Sequence, residues 1–224
     1  KKEPTVVTIG TFDGLHIGHM KILERLIKSA NTLGLKSTVL TFFPHPRMVL
    51  QQDAHIQLLN TIDDKIDILE RTGLDYLIIH PFTKAFSRLS ARDFVKDILV
   101  KELRAKKIII GYDHRFGRNR NANINDLIDF GNAMDFQVEE IPAQEVDEVS
   151  VSSTKIRKAL EDGDVGTANA YLGYEYMLTG TVKKGRGMGR QLGFPTANLV
   201  IAESYKLIPK NGVYAVRSIL NGQT

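Results

Sequence analysis

The chain has 224 residues, of which 42% are hydrophobic and 25% charged, a balance typical of globular proteins that excludes disordered and collagen-like classes. The formal net charge of +4 comes from 30 basic and 26 acidic residues that are mostly interleaved; this slightly favours an anionic ligand and falls short of a nucleic-acid-binding face. Cysteine is absent, so disulfides and thiolate metal sites are excluded. No apolar run approaches the roughly 18 residues of a membrane span, and the opening "KKEP" is too short and polar for a secretory signal. A cytoplasmic location with neither membrane nor nucleic-acid partners is therefore expected.

In chain order, "TVVTIG" (5–10) predicts a short buried strand of β-branched residues. Ile17, Met20, Leu23, Leu26, Ile27, Ala30 and Leu33 then follow helical spacing, with Lys21, Glu24, Arg25 and Lys28 on the opposite face and Gly34 as a stop. "KSTVLTFF" (36–43) predicts a second strand, and Pro44 and Pro46 predict that 44–55 is irregular. A helix is expected over 63–71, a strand at "LDYLIIH" (74–80), and a helix over 90–103 with Ser90 as N-cap. "KKIIIG" (106–111) and "QVEEI" (137–141) predict strands on either side of a helical 124–136. Such alternation argues for an α/β domain built on a mostly parallel sheet covered on both faces. Ligands bind such sheets beyond the carboxyl ends of the strands, so segments 10–19, 44–50, 111–120 and 142–154 should converge there. Arg115, Arg118 and Arg120 make one of these segments locally basic, as "KKGRGMGR" (183–190) is further on.

The texture changes after Gly173. "YEYMLTGTVKKG" (174–185) and "GVYAVRSIL" (212–220) predict strands without intervening helices, joined by Gly-rich and Pro-containing loops. A boundary is expected near 162–174. Some 50 residues are marginal for an independent domain, so this stretch is expected to be part of a larger one.

Two segments carry chemistry. In "GTFDGLHIGH" (10–19), His16 and His19 sit where a strand gives way to a helix, among Gly10, Gly14 and Gly18. A helix N-terminus offers unpaired N–H groups and partial positive charge to anions, and glycine lets backbone bend and a phosphate approach. Histidines three apart can face the same side and donate hydrogen bonds where charge builds on an attacked phosphorus. A zinc pair would need a third ligand that is not evident nearby; incidental polar residues at a helix start are the remaining alternative. In "VSSTKIRKAL" (151–160), Ser152, Ser153 and Thr154 can cap a helix and offer hydroxyls and N–H groups to phosphates, with the forked Arg157 one turn on. An ordinary capped helix with a surface arginine is the alternative there.

These segments resemble the HxGH and SSTxxR elements of the small nucleotidyltransferases, the second being unlike the KMSKS loop of the related class I aminoacyl-tRNA synthetases. "TFFPHP" (41–46) resembles the flavin-side loop of the FMN adenylyltransferase module in bacterial bifunctional riboflavin kinase/FAD synthetases, and "GYDHRFGRNR" (111–120) that family's segment after the fourth strand. "GTVKKGRGMGRQLGFPTANL" (180–199) is similar to the start of its riboflavin kinase module, including the PTAN motif at 195–198. All five occur in the family's order, so the resemblance runs from about residue 5 to the end.

The resemblance implies a Rossmann-like, doubly wound parallel sheet (1–162), a helical linker (163–173) and the start of a β-barrel (174–224). It implies FAD synthesis, ATP + FMN → FAD + pyrophosphate, and, for the second module, riboflavin + ATP → FMN + ADP, with Mg²⁺ bridging phosphates. On this basis His16, His19 and Arg157 are expected to be catalytic. Gly10, Thr11, Phe12, Gly14, Gly18, Ser152, Ser153 and Thr154 would bind ATP phosphates, and His45, Pro46 and Asp113 the flavin. Gly185, Gly193, Thr196 and Asn198 would bind ATP in the kinase, Thr196 and Asn198 also its Mg²⁺. Two positions depart from the family pattern, His114 after Asp113 and Ala122 in place of a glycine, which affects that loop and the role of Asp113. The family's kinase base is a downstream carboxylate, and no Asp or Glu follows Glu203; the kinase is therefore expected to be incomplete and inactive in these residues. Rival expectations are another small nucleotidyltransferase and a non-catalytic flavin- or nucleotide-binding regulator.

Overall fold

A computed structural model describes residues 3–51, 56–111, 114–142 and 151–220. Five parallel strands form one sheet in the order β3-β2-β1-β4-β5: β1 (Thr5–Ile9), β2 (Lys36–Phe43), β3 (Tyr76–Pro81), β4 (Ala105–Gly111) and β5 (Gln137–Ile141). All five are the strands expected from the apolar runs, within a few residues at the ends. The order reverses between β1 and β4, which makes the crevice beyond their carboxyl ends the topological switch point. The central β1 is buried along its whole length, whereas the edge strand β3 is partly exposed. That is why β1 reads as an unbroken apolar and β-branched run.

The two faces separate by the strand's period of two. Val7, Ile108 and Ile110 face Phe94, Val95, Ile98, Leu99 and Leu127 on one side, whereas Val6, Val39 and Ile109 face Leu23, Leu26, Ala30 and Leu69 on the other. Helix α1 (Ile17–Leu33), ended by Gly34 in the left-handed conformation, and α3 (Ile62–Glu70) cover the second face. The first is covered by a π-helical stretch, Phe94–Glu102, entered through a single turn α4 (Ala91–Asp93) that Ser90 caps, and by α5 (Ile124–Met134).

Two local expectations change. The stretch 44–55 is not wholly irregular, because α2 (Pro46–Leu50) forms one turn there. Pro46 takes the first helical position, where its missing N–H is no loss, and the His45 ring accepts the Arg47 N–H at 3.2 Å as the cap. Residues 212–220 form no strand, and of 174–185 only β6 (Thr181–Lys183) does, pairing antiparallel with β7 (Asn198–Val200). Strand propensity is realised only against a partner, and 212–220 finds no ladder among the described residues.

After the sheet, α6 (Ser153–Asp162) and α7 (Val165–Leu172) pack as a pair, and Leu207 and Leu59 close their shared cluster with Ile156, Leu160, Ala168 and Leu172. A short helix α8 (Met188–Gln191) separates β6 from β7.

Candidate active site

The expected convergence occurs. Residues from 8–22, 42–56, 111–120 and 151–157, joined by Phe82, Phe86 and Phe94, line one cavity of about 820 Å³ at the carboxyl end of the sheet. Its size lies within the roughly 300–1,000 Å³ of small-molecule pockets. His16, His19, Arg157, Gly10, Thr11, Phe12, Gly18, Ser152, Ser153, Thr154, His45 and Pro46 all line it.

The loop from β1 to α1 is held in an uncommon shape. Phe12 and Leu15 have φ of 46° and 39°, a region that side chains seldom occupy and that persists only where surroundings over-determine it. Gly14, at φ 90°, sits behind the cavity wall, where a Cβ would lie 2.6 Å from Leu59 Cδ1. Its contribution is therefore the turn itself. Gly18 does face the cavity, and a Cβ there would press on the His16 ring at 3.2 Å.

His16 is the N-cap of α1. Its Nδ1 accepts the His19 N–H at 3.3 Å, so in the neutral ring the proton is on Nε2, leaving that nitrogen a donor. Burial lowers the His16 pKa to about 4, against a smaller opposing pull from Asp13. Burial, helped by His16 and Lys65, holds His19 well below the ordinary histidine value. The two rings stack at 3.7 Å, and the edge of Phe12 meets His19 at 5.2 Å. His19 Nδ1 is buried and makes no hydrogen bond among the described residues. A buried unpaired polar atom costs about 1–3 kcal/mol.

Beside this loop, Ser152 caps α6 by accepting the Lys155 N–H at 3.3 Å. Ser153 Oγ donates to the Asp13 carbonyl at 2.8 Å, which sews this helix to the β1–α1 loop. Arg157 is held on two sides: its Nε donates to the Gln57 carbonyl at 3.0 Å, and its Nη2 pairs with Asp13 Oδ2. The other oxygen of Asp13 accepts the Leu59 N–H at 2.9 Å and the Asn60 N–H at 3.4 Å.

Asp13 was not among the expected site residues, although it lies inside the first motif. A carboxylate there reads as a turn former until its partner, 144 residues away, is known. Lys65 on α3, which reads as a polar helix position, does not line the cavity but backs its Thr11 turn. Its ammonium is buried, donates to the Thr11 carbonyl at 2.6 Å and lies 3.5 Å from Thr41 Oγ1. Burial lowers its pKa to about 8.

Another wall is aromatic: Phe42 lies 5.8 Å from Phe82 and 5.6 Å from Phe86, and Phe86 6.0 Å from Phe94. His45 faces the cavity from the start of α2, its pKa lowered by burial to about 4. Arg115, Arg118 and Arg120 also reach the rim and are exposed. Asp113 lies outside the described residues.

The four kinase residues lie elsewhere, all exposed and none lining this cavity. Gly185 lies against the Asn198 carboxamide and Gly189 against Thr196, so the Gly-rich loop and the PTAN segment meet across the β6–β7 pair. Gly193, at φ 83°, shapes the loop between them and has nothing close by. Among the described residues no group of three or more His, Cys, Asp or Glu could hold a metal ion. The donors that are present, hydroxyls and a carboxamide, suit Mg²⁺ carried mainly by substrate phosphates.

A switch-point cavity, a histidine-capped helix and, beside it, a Ser/Thr-capped, arginine-bearing helix define a nucleotidyltransferase. Comparison with known proteins agrees. The family model for FAD synthetase matches residues 1–155, and that for riboflavin kinase matches 172–224. A bifunctional riboflavin kinase/FMN adenylyltransferase of Listeria monocytogenes is 38% identical over 98% of this chain and 69% of its own length. Those of Bacillus subtilis and Escherichia coli are 35% and 34% identical, over 98% and 99% of this chain and 69% and 70% of their own lengths. A solved structure from Streptococcus pneumoniae, described as a macrolide-efflux protein, superposes with a TM-score of 0.84 at 32% identity, covering 96% of this chain and 69% of that one. No described helix here is long and apolar enough to cross a membrane. The chain belongs to the bifunctional riboflavin kinase/FMN adenylyltransferase family.

Proposed function

We propose that the cavity transfers the adenylyl group of ATP to FMN, with His16, His19 and Arg157 as its catalytic residues. An FMN phosphate oxygen attacks the α-phosphorus, a new P–O bond forms, and the bond to the β-phosphate oxygen breaks with its electron pair leaving on pyrophosphate. The attacking phosphate is already an anion, so no general base is required. What remains is to position two anions and stabilise charge on the α-phosphoryl oxygens.

The observation that carries this reading is the His16 tautomer. With Nδ1 committed to the helix cap, Nε2–H is a fixed donor that costs no reorganisation when charge develops. His19, stacked on it, supplies a second ring. Ser152, Ser153, Thr154 and the start of α6 face the departing pyrophosphate, with Arg157 aimed by Asp13 and Gln57. Thr11 and the glycines Gly10 and Gly18 border the nucleotide. The aromatic wall with His45 and Pro46 suits a flat apolar ring system such as a flavin. Bound Mg²⁺ would neutralise phosphate charge.

The same reading divides the chain into an adenylyltransferase domain (1–162), a helical linker (163–173) and the first part of a kinase barrel (174–224). In that barrel Thr196 and Asn198 would face Mg²⁺ and ATP phosphates, and Gly185 and Gly193 would border the nucleotide. A cytoplasmic location goes with it, since ATP is supplied there. The test is to incubate the chain with FMN and MgATP and separate the flavins by chromatography, with His19→Ala beside it. FAD formation that the substitution lowers by about two orders of magnitude or more is expected. Saturable binding of FMN and ATP without FAD would mean a sensor instead.

A further inference from the structure

Residues 205–207 fall in the stretch that the riboflavin kinase family model matches, yet they are built into the adenylyltransferase side. The Lys206 side chain is fully buried, as is that of Asp64, which it meets at 2.7 Å. A second donor of the same ammonium reaches the Leu59 carbonyl at 2.6 Å, and the charge sits 4.5 Å from the centre of the Tyr176 ring. The backbone on both sides is tied down as well: Leu58 N–H donates to the Tyr205 carbonyl at 2.6 Å and Leu207 N–H to the Leu58 carbonyl at 2.9 Å. Tyr174, from the same C-terminal stretch, donates to the Gly14 carbonyl at 2.6 Å and accepts from Asn60 at 3.1 Å.

With Gly14 in the β1–α1 loop and Asp64 at the start of α3, the contacts to Leu58, Leu59 and Asn60 all end on the loop 57–61. That loop holds the other end of the catalytic wall: Leu59 and Asn60 N–H groups grip Asp13, and Gln57 takes the Nε of Arg157. A lysine is costly to bury, and a buried ion pair is weak evidence of stability by itself. Here the pair fixes the geometry of one loop, and that loop aims one guanidinium. We propose that Lys206 is a positioning residue for adenylyl transfer: it holds the 57–61 loop, the loop holds Asp13, and Asp13 aims Arg157 into the cavity. The kinase-side stretch is thus part of the adenylyltransferase site, and the two activities do not divide where the two family matches do.

This inference rests on the adenylyl-transfer reading above. The test uses the full chain with Lys206→Met, Arg157→Ala, and both together, measuring kcat and KM for FAD formation and the urea midpoint. A misplaced group commonly costs up to about 100-fold, so Lys206→Met is expected to lower kcat roughly 10- to 100-fold with KM for FMN little changed. In the Arg157→Ala background the same change should cost less than about threefold, because there is no guanidinium left to aim. The loss of urea midpoint should be the same in both backgrounds. An equal loss of kcat in both backgrounds, or an unchanged kcat in folded Lys206→Met, overturns the proposal. If Lys206→Met does not fold, Asp64→Asn with Lys206→Met removes the stranded charge and must show the same dependence on Arg157. Wild type that makes no FAD overturns the function itself; wild type that is active and sensitive to Arg157→Ala but not to Lys206→Met overturns only the positioning.

Discussion

Replacing His16 with asparagine separates the two tasks of one ring. The Nδ1 of His16 caps α1, and asparagine places its Oδ1 the same number of bonds from the backbone. Asparagine is among the best N-cap residues, so the cap survives while the Nε2–H donor is lost. The stacking of the rings at 3.7 Å is lost too, at about 0.5–1.5 kcal/mol. Stability should therefore fall by no more than about 2 kcal/mol. The transition state, deprived of a preplaced donor, should lose about 2.7–4 kcal/mol, or 10²–10³ in kcat. His16→Ala should match that rate loss and lose a further 0.5–2 kcal/mol of stability with the cap. Steady-state FAD formation and urea unfolding of the two variants, side by side, make the measurement. An asparagine variant within about threefold of wild-type kcat would reduce His16 to a helix cap. Because burial keeps the ring neutral down to about pH 4, kcat should also be flat from pH 8 to 6 on its account. A tenfold rise per pH unit across that range would mean that the imidazolium is the working form.

Stability should depend on pH through the same groups. His16 and His45 are held at about 4 by burial, against an ordinary 6.5. As pH falls through 6.5 the unfolded chain takes up protons that the folded chain refuses. The stability is therefore complete above about 6.5 and is lost progressively towards pH 4, by about 3 kcal/mol for His16; a urea midpoint unchanged between pH 7.5 and 5 would contradict this. Gly14→Ala adds a Cβ 2.6 Å from Leu59 at a φ of 90°, and should destabilise by about 1–3 kcal/mol, visible as a lower urea midpoint. Tyr174→Phe leaves the Gly14 carbonyl without the hydroxyl it accepts from at 2.6 Å. It should cost about 1–3 kcal/mol and lower FAD formation, since Gly14 is the turn that presents His16.

The elements and the motifs were readable from the amino-acid order because their causes are local. Five apolar runs of strand length, the helical spacing after Ile17, Gly34 as a stop and Ser90, Ser152 and His16 at helix starts are each decided within a few residues of themselves. The convergence of four loops followed from one general property of parallel sheets. Even locally a competing rule could prevail: Pro44 and Pro46 predicted an irregular stretch, yet Pro46 begins a helical turn because proline is favoured at a first helical position. The β-rich 212–220 stretch could not be settled locally either, since a strand depends on its partner. The tertiary structure decided which charges work together. Asp13 pairs with Arg157 across 144 residues, Asp64 with Lys206 across 142, and Gly14 takes its hydrogen bond from Tyr174 across 160. No periodicity encodes such pairs, because burial and the approach of distant backbone create them only after the chain has closed on itself. The amino-acid order alone marks the start of α1, with two histidines among glycines, as the place to expect phosphate chemistry. Only the folded chain decided that Arg157 is aimed by a carboxylate in the first motif, and that the loop behind both is held by a lysine near the far end.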